Sequence, residues 1–300
     1  NGFPRLAAYF AERARGGVGM MITGGISPNM EGGFGAKLST PEEAEDHKLV
    51  TKAVHDVDPD IKICMQILHA GPLAGTPSCV APSAIPSRIS RIVPLGLDEA
   101  GVQKQIDDHV QCAKMAQLAG YDGVEIIGSA GYLLSTFLVE KTNQRDDKWG
   151  GSYENRIRFP LEIMRRCSAE VGDNFILIFR IAAMDMLQGG MSWDEVVLLA
   201  QEMEKAGATI ISTHFTWHES TVPTIATMVP RAAFAGVTGR LRKEIKIPTI
   251  TSNRINMPDV AEQVLVDGHA DIVSMARPML ADAELVNKAF EGREDEINTC

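Results

Sequence analysis

Short, almost uninterrupted apolar runs recur along the chain and alternate with segments whose apolar residues repeat at helical spacing. Strands of a parallel sheet are buried on both faces, so they read as continuous apolar runs rather than as an alternating pattern. The runs predict seven parallel strands, at 18–25, 61–71, 123–129, 175–181, 209–215, 247–253 and 271–278. Amphipathic segments predict helices at 5–15, 98–118, 152–167, 257–266 and 281–290, and a capping box at Ser192 and Glu195 predicts the start of another.

Strands that alternate with helices predict βαβ units and one parallel sheet. The length of 300 residues and the near-regular repeat favour a (β/α)₈ barrel, with a doubly wound sheet as the alternative. Seven strand patterns are present rather than eight, and the first pattern in the chain is helical. We therefore expect a TIM (β/α)₈ barrel that lacks its first strand through an N-terminal truncation. Residues 1–295 contain no linker, and we interpret them as one domain.

The charge balance excludes some classes of partner. With a net charge of −10, the chain has no bulk attraction for nucleic acids or anionic membranes. No apolar stretch approaches the roughly 20 residues of a membrane span, and the first residues do not resemble a signal peptide. The five scattered cysteines favour buried thiols in a reducing compartment over a disulfide framework. We expect a cytoplasmic protein without nucleic-acid or membrane partners, whose oligomeric state stays open.

Polar residues follow the carboxyl ends of several predicted strands, where parallel barrels place their chemistry. Arg254 and Arg277 follow the last two strands, and the last two loops of such barrels commonly hold a phosphate. Arg180 lies inside an apolar run, where a guanidinium needs an anionic or acceptor partner. A structural ion pair is the alternative for each arginine alone. The irregular segment 71–94 is long for a barrel loop, which indicates a functional surface over the barrel mouth.

Residues 142–163, TNQRDDKWGGSYENRIRFPLEI, resemble the long signature of the old yellow enzyme family of FMN-dependent reductases. The resemblance covers nearly the whole chain through ITGGISP, MQILHAG, AGYDGVEIIGSAGYLLSTFL, TSNRIN and VSMARPMLADAELV. The segments TWHESTVPTIATMVPR (216–231) and EINTC (296–300) are similar to the flavin barrel of the bacterial branch that reduces 2,4-dienoyl-CoA in fatty acid β-oxidation. The resemblance implies an FMN-dependent ene-reductase that acts on a small-molecule substrate.

The resemblance also implies how the chain would hold FMN across the barrel mouth. Gln66 would bond the polar edge of the flavin ring, and Arg180 would stabilise negative charge on the reduced ring. Arg254, Ala276 and Arg277 would hold the phosphate, in agreement with the phosphate site that the strand positions predict. The full implied cofactor set is Gly25, Gln66, Arg180, Arg254, Ala276 and Arg277.

In the resembled family, Tyr132 would be the general acid, and His218 would orient it, bond the substrate carbonyl, or both. A neutral phenol is a competent donor to the basic carbon that remains after hydride transfer from FMN N5. A packed aromatic is the alternative for Tyr132. The small residues 128–131 before it are expected to leave room for a flat substrate. Further implied substrate contacts are Lys141, His218, Glu219, Ser220 and Thr221.

Ile127 and Ala130 stand where many old yellow enzymes carry a histidine pair. The absence of that pair supports the dienoyl-CoA branch, although this branch typically has an acidic residue at the position of Ala130. Cys300 would be the first thiolate of a 4Fe–4S cluster, so residues 296–300 are interpreted as the start of a truncated iron–sulfur segment. A full-length parent would also carry FAD and NADPH.

Two other functions stay open on the sequence. The enlarged site at Ala130 is compatible with a related flavin enzyme that reduces enoates or steroid enones, or with an amine dehydrogenase. A barrel fragment without catalytic activity, serving in binding or assembly, is the alternative from a different class.

Overall fold

The computed structural model describes residues 2–33 and 35–299, and its centre is a parallel sheet. The strands are β1 (Met20–Ile26), β2 (Lys62–Ile67), β3 (Val80–Ala81), β4 (Leu95–Gly96), β5 (Gly123–Gly128), β6 (Ile176–Met184), β7 (Ile210–Phe215), β8 (Thr249–Thr251) and β9 (Ile272–Val273). Seven of them form the main sheet in the order β1-β2-β5-β6-β7-β8-β9, and β3 and β4 form a separate pair. Every neighbouring pair is parallel.

The helices are α1 (Phe3–Arg15), α2 (Pro41–His55), α3 (Glu99–Leu118), α4 (Leu133–Leu138), α5 (Tyr153–Arg156), α6 (Arg158–Val171), α7 (Trp193–Lys205), α8 (Ala235–Arg242), α9 (Pro258–Val266), α10 (Arg277–Ala281) and α11 (Leu285–Phe290). Short 3₁₀ turns occur at Gly71–Leu73 and Glu294–Glu296. Ser192 caps α7 and Glu195 completes the predicted capping box, since both reciprocal hydrogen bonds form.

The strands of the main sheet follow one another in sequence order, as expected for successive βαβ units. A doubly wound sheet has a switch point where the strand order reverses, and this order has none. The described chain is therefore a parallel α/β half-barrel of the TIM-barrel type, and all seven predicted strands form. In the part of the chain that the structure describes, β1 and β9 are the two edge strands of this sheet.

Two helices differ from the bounds that the sequence predicts. The predicted helix 152–167 divides at Ile157, because Pro160 has no N–H to donate to the carbonyl of Arg156. The predicted helix 281–290 starts only at Leu285, because α10 ends before Asp282, whose carboxylate accepts the backbone N–H groups of Glu284 and Asn298. That side chain terminates α10 and starts the next turn.

The core lies between the sheet and the helices around it, and it includes the cysteines expected to be buried. Cys64, Cys79, Cys112 and Cys167 are free and buried. Burial raises the pKa of the Cys64 thiol to about 12, which keeps it protonated and unreactive. Among the described residues, no helix is long and apolar enough to cross a bilayer.

Candidate functional site

Unusual backbone conformations mark the carboxyl edge of the sheet. Five non-glycine residues with positive φ lie just beyond the ends of strands: Ala130 (68°) after β5, Met186 (52°) after β6, Thr216 (86°) after β7, and Asn253 (75°) and Arg254 (61°) after β8. Such conformations cost energy for L-residues and cluster at functional sites, where the surrounding structure enforces them. This edge is also where the sequence predicts the chemistry.

A cavity of about 1580 Å³ opens at this edge. Its volume exceeds the roughly 300–1,000 Å³ of a typical single-ligand pocket because it includes the groove between the edge strands β1 and β9. The cavity also extends between β1 and β9 towards α1, α9 and α11. Predicted site residues in its lining are Gln66, Tyr132, Arg180, His218 and Ala276, and both positions of the absent histidine pair, Ile127 and Ala130, line it too.

The polar floor of the cavity is built by strand register. Gln66 on β2 pairs with Glu125 on β5, and Arg180 on β6 pairs with Ser212 on β7. Gln66 Nε2 donates to Glu125 Oε1 at 2.6 Å, and Arg180 Nη1 donates to Ser212 Oγ at 3.1 Å. Arg180 Nη1 also lies 3.8 Å from Glu125 Oε2. The sequence predicts an anionic or acceptor partner for this arginine, and the structure provides both: the Glu125 carboxylate and the Ser212 hydroxyl.

Tyr132 and His218 meet at one wall of the cavity. Tyr132 Oη lies 2.9 Å from His218 Nε2, and the two rings make an edge contact with centroids 5.1 Å apart. Burial raises the pKa of the Tyr132 phenol, and desolvation of the imidazole lowers the pKa of His218. At neutral pH the pair is therefore a protonated phenol beside a neutral imidazole. The backbone N–H of His218 donates to Ala130 O at 3.2 Å, which joins the two loops that carry the pair.

The loop that carries His218 is anchored by a buried carboxylate. Asp185, just beyond β6, accepts hydrogen bonds from Trp217 Nε1 and from the backbone N–H of Met191. Burial raises the pKa of Asp185 to about 6. Because Trp217 directly precedes His218, this contact determines where the imidazole lies.

The small residues before Tyr132 serve two purposes rather than one. A Cβ at Gly128 would collide with the Phe179 ring, and a Cβ at Gly131 would lie 2.9 Å from Trp217, where φ is 88°. These two glycines admit neighbouring aromatic rings, so the expectation that all four residues clear space for substrate is wrong in part. Ser129 and Ala130 do line the cavity.

The predicted phosphate residues divide into two groups. Ala276 lines the cavity. Arg254 Nε donates to Val229 O, and Arg277 Nη2 donates to Ile225 O, each at 2.9 Å. Both guanidinium groups thus hold the segment that follows His218, and neither belongs to the cavity lining.

The predicted flavin-contacting glycine lies one residue beyond the cavity lining. Gly24 lines the cavity, and a Cβ there would meet nothing within 4 Å. A Cβ at Gly25 would lie 2.6 Å from the Leu68 side chain. Gly25 therefore admits Leu68, and Gly24 provides the open backbone.

Two of the predicted substrate contacts join loops to each other. Glu219 Oε1 accepts hydrogen bonds from Ser87 Oγ at 2.6 Å and from the backbone N–H of Arg88 at 3.3 Å. Ser220 Oγ donates to Met186 O at 2.8 Å. The long loop 71–94 is thereby fixed over the His218 loop, at the barrel mouth.

A second cavity of about 460 Å³ lies under that long loop and shares Tyr132 and His218 with the first. Lys141 and Thr221 line neither cavity. Cys300 lies outside the described residues, and within them no cluster of His, Cys, Asp or Glu side chains has the composition of a metal site. The remaining lining of the second cavity is Leu73, Ala74, Gly75, Ile89, Ser90, Arg91 and Ile92.

Sequence reasoning missed three polar residues of the site. Glu125 is the charged residue inside the apolar run of β5, and this is the signal that could have found it. Asp185 directly follows the carboxyl end of β6, and the carboxyl ends of strands are where the sequence predicts the other site residues. His214 lines the cavity from β7, and its pKa falls to about 3 through burial and the nearby Arg180.

A parallel half-barrel with a large, polar-floored cavity at the carboxyl ends of its strands belongs to the class of barrel enzymes that bind their ligands at this edge. The model of the NADH:flavin oxidoreductase / NADH oxidase family matches residues 2–296. The chain belongs to this family, the old yellow enzyme family, as its motifs indicate. The expectation of an FMN-type flavin oxidoreductase is thereby confirmed.

Individual relatives agree with this membership. The chain is 37% identical to a metal reductase of Desulforamulus reducens, covering 99% of this chain and 45% of the relative. It superposes with a TM-score of 0.94 on 2-naphthoyl-CoA reductase in complex with 2-naphthoyl-CoA, at 32% identity, covering 99% of this chain and 48% of that one. The old yellow enzyme homologue from Zymomonas mobilis gives a TM-score of 0.79 at 25% identity, with 96% and 82% covered. The chain thus spans about half the length of the first two.

Proposed function

We propose that the chain is the FMN-binding catalytic barrel of an ene-reductase that acts on 2,4-dienoyl-CoA or a closely related unsaturated thioester. The observation that carries the proposal is the 2.9 Å contact between Tyr132 Oη and His218 Nε2 at the wall of a cavity floored by Gln66 and Arg180. A proton donor and a charge-stabilising floor that face the same space are what the reduction of a conjugated double bond requires.

The cavity residues fit FMN. Gln66 and Arg180 offer an amide and a cation to the polar edge of a flavin ring, and Gly24 offers open backbone. His214 Nδ1 is buried without a hydrogen-bond partner in the described chain, as expected where a bound group completes the site. Ala276 would lie near the phosphate, and Arg254 and Arg277 bond the backbone carbonyls of Val229 and Ile225 outside the cavity lining. When bound, FMN supplies the hydride.

The chain itself supplies the proton. The phenol of Tyr132 remains protonated because burial raises its pKa, so it is available to the carbon next to the thioester carbonyl. His218 holds the hydroxyl through its Nε2 and, being neutral, adds no charge that would convert the phenol to phenolate beforehand. Asp185 and Trp217 keep the imidazole in place.

The second cavity supports a substrate on a long anionic carrier. It begins at Tyr132 and His218, and its lining includes Arg91, an exposed residue for which the structure gives no ion pair with a described residue. A coenzyme A arm has the length and the phosphates to pass from the proton donor to this guanidinium. The 2-naphthoyl-CoA reductase relative carries a CoA thioester in its complex. We assign phosphate contact to Arg91 in addition to Lys141, which lines neither cavity.

We further propose that an eighth strand lies between β1 and β9 in the functional barrel. Open strand edges expose unpaired backbone groups, and the groove between these strands is lined by exposed apolar side chains. Leu265, Leu280 and Phe290 there are 38%, 61% and 86% exposed. The electron supply of the whole protein would be NADPH through FAD and a 4Fe–4S cluster, with Cys300 as one thiolate, in the cytoplasm.

The experiment uses the full-length, FMN-loaded protein reduced with dithionite in the absence of oxygen. Addition of a 2,4-dienoyl-CoA should reoxidise the flavin in a rapid-mixing absorbance measurement. A flavin that stays reduced with every dienoyl-CoA tested contradicts the thioester proposal.

A second candidate is a related flavin enzyme that reduces enoates or steroid enones or oxidises an amine. The small Ala130 at the cavity wall favours it, because a bulky fused-ring substrate would need that space. A panel of free acids, enones, amines and thioesters, each at equal concentration, separates these activities by their kcat/KM. If the chain is instead a barrel without catalytic activity, the purified protein should be colourless and take up no FMN.

A further inference from the structure

Glu125 is a carboxylate held in the interior of the barrel beside the proposed flavin site. The residue is 1% exposed and lies on β5, between the strands that carry Gln66 and Arg180. Its Oε2 is buried and has no hydrogen-bond partner in the described chain, although Arg180 Nη1 lies 3.8 Å away. Burial of a charge without full hydrogen bonding is costly, so it calls for a function.

The contact with Gln66 determines which way its amide points. A carboxylate only accepts hydrogen bonds, so the group of Gln66 that lies 2.6 Å from Glu125 Oε1 must be the NH₂. Gln66 Oε1 is then free to act as an acceptor in the cavity, which Gln66 lines. A flavin ring has one imide N–H donor between two carbonyl acceptors on its polar edge, and a carbonyl oxygen in this position suits the donor.

The charge of Glu125 acts on the same edge of the site. Bulk water screens it little because the side chain is buried, so its field reaches both Arg180 and any group bound above them. A negative charge here opposes the positive charge of Arg180 and disfavours the addition of electrons to a neighbouring group.

We propose that Glu125 is a positioning residue that orients the Gln66 amide towards the flavin imide and, with its charge, lowers the reduction potential of the bound flavin. The inference rests on the proposed FMN site. It adds a residue that does not touch the substrate but sets how strongly the barrel holds the oxidised and the reduced cofactor.

The test compares the potentials of the FMN-loaded wild-type protein and its variants by anaerobic spectroelectrochemistry. Glu125→Gln should favour reduced over oxidised FMN by at least about tenfold, which is a rise of about 30 mV for a two-electron couple. Arg180→Met should lower the potential, and the double variant should lie between the two. Asp282→Asn, which neutralises a buried carboxylate that pairs with Lys288 outside the cavity lining, is the matched control and should leave the potential unchanged.

Glu125→Gln leaves Arg180 without its acidic partner. If this variant does not fold, the potentials of Arg180→Met and of the double variant are compared instead. The double variant removes both charges, so it should then have a higher potential than Arg180→Met. If Arg180→Met and the double variant have equal potentials, or if the wild type and Glu125→Gln do, the charge of Glu125 does not lower the flavin potential.

The amide orientation is tested by FMN affinity. Gln66→Met should weaken binding of oxidised FMN about tenfold in the wild type and clearly less in the Glu125→Gln background, because the amide is then no longer held. An equal loss in both backgrounds overturns the positioning role. Wild-type protein that binds no FMN rejects the proposed function itself, whereas normal binding with silent variants rejects only the role of Glu125.

Discussion

At the scale of single residues, the pair Tyr132 and His218 joins two positions that are 86 residues apart in the chain. Desolvation changes the two pKa values in opposite directions, because it disfavours the charged form of each: phenolate for Tyr132 and imidazolium for His218. Both groups therefore stay neutral over a wide pH range. A neutral phenol that is held by a neutral imidazole can release its proton to the substrate without an earlier charge separation.

Tyr132→Phe removes the hydroxyl and leaves the ring in place. We expect FMN binding and dithionite reduction to be unchanged, while substrate turnover slows by at least about a hundredfold. Stopped-flow reoxidation of the reduced flavin by substrate measures this step directly.

Tyr121→Phe is the matched control, because its hydroxyl bonds the buried His47 far from the cavity lining. This variant should retain the turnover of the wild type. If Tyr132→Phe also retains it, the phenol only packs at the cavity wall.

At the scale of elements, the long loop 71–94 and the segment after β7 act as one cover. Glu219 accepts hydrogen bonds from the loop, and the second cavity lies beneath it. Glu219 and Ser220, which the sequence predicts as substrate contacts, thus also hold loops together. The loop also brings Arg91 to the same cavity as Tyr132, a proximity that a separation of 41 positions in sequence does not indicate.

Arg91→Gln tests the proposed path of the carrier arm. We expect the KM for a CoA thioester to rise about twofold to fivefold, the effect of one exposed ion pair, with kcat unchanged. The N-acetylcysteamine thioester of the same acyl group lacks the phosphates, and its KM should not change. Lys141→Gln is the comparison: if it raises the KM and Arg91→Gln does not, the arm leaves by another path.

Ser192→Ala removes the cap of α7, whose oxygen accepts the N–H of Glu195. The loss should lower the free energy of unfolding by about 1 kcal/mol, as is usual for an N-cap. Urea denaturation at neutral pH measures it.

Ser152→Ala is the control for this cap. Ser152 occupies the N-cap position of α5 but makes no capping hydrogen bond, so its replacement should have a clearly smaller effect. Equal effects of the two substitutions would show that the capping bond contributes little.

At the scale of the whole molecule, buried neutral histidines make the fold sensitive to acid. Burial lowers the pKa of both His47 and His109 to about 4, and it lowers the pKa of His69 well below its usual value. The unfolded chain has histidines with a pKa near 6.5, so it binds more protons than the folded chain at pH values between these limits. Stability is therefore full above about pH 6.5 and declines as the pH falls towards 4.

Unfolding free energies at pH 7 and pH 5 should differ by on the order of 1–2 kcal/mol for each such histidine. Asp185, whose pKa is raised to about 6, opposes this trend, since the folded chain takes up its proton first. Because several histidines oppose one carboxylate, the net free energy of unfolding decreases from pH 7 to pH 5. A urea midpoint that is the same at pH 7 and pH 5 would contradict the prediction.

The strands, the position of the active edge and the family could be predicted from the chain alone. Continuous apolar runs and the capping box at Ser192 depend on neighbours in sequence, so they are readable there. The helix boundaries at Pro160 and Asp282 were missed because amphipathic periodicity does not register a missing donor or a carboxylate that caps a neighbouring turn.

The sequence by itself determined the parallel sheet, the motifs of the family and several residues that line the cavity, because each of these follows from local pattern. Only the tertiary structure decided which residues meet. Strand register places Glu125 between Gln66 and Arg180, and two strained loops bring His218 to Tyr132. Arg254 and Arg277, which strand position alone assigns to a phosphate, bond backbone carbonyls outside the cavity lining. The direction of a side chain depends on packing between distant segments, and a linear pattern does not contain that information.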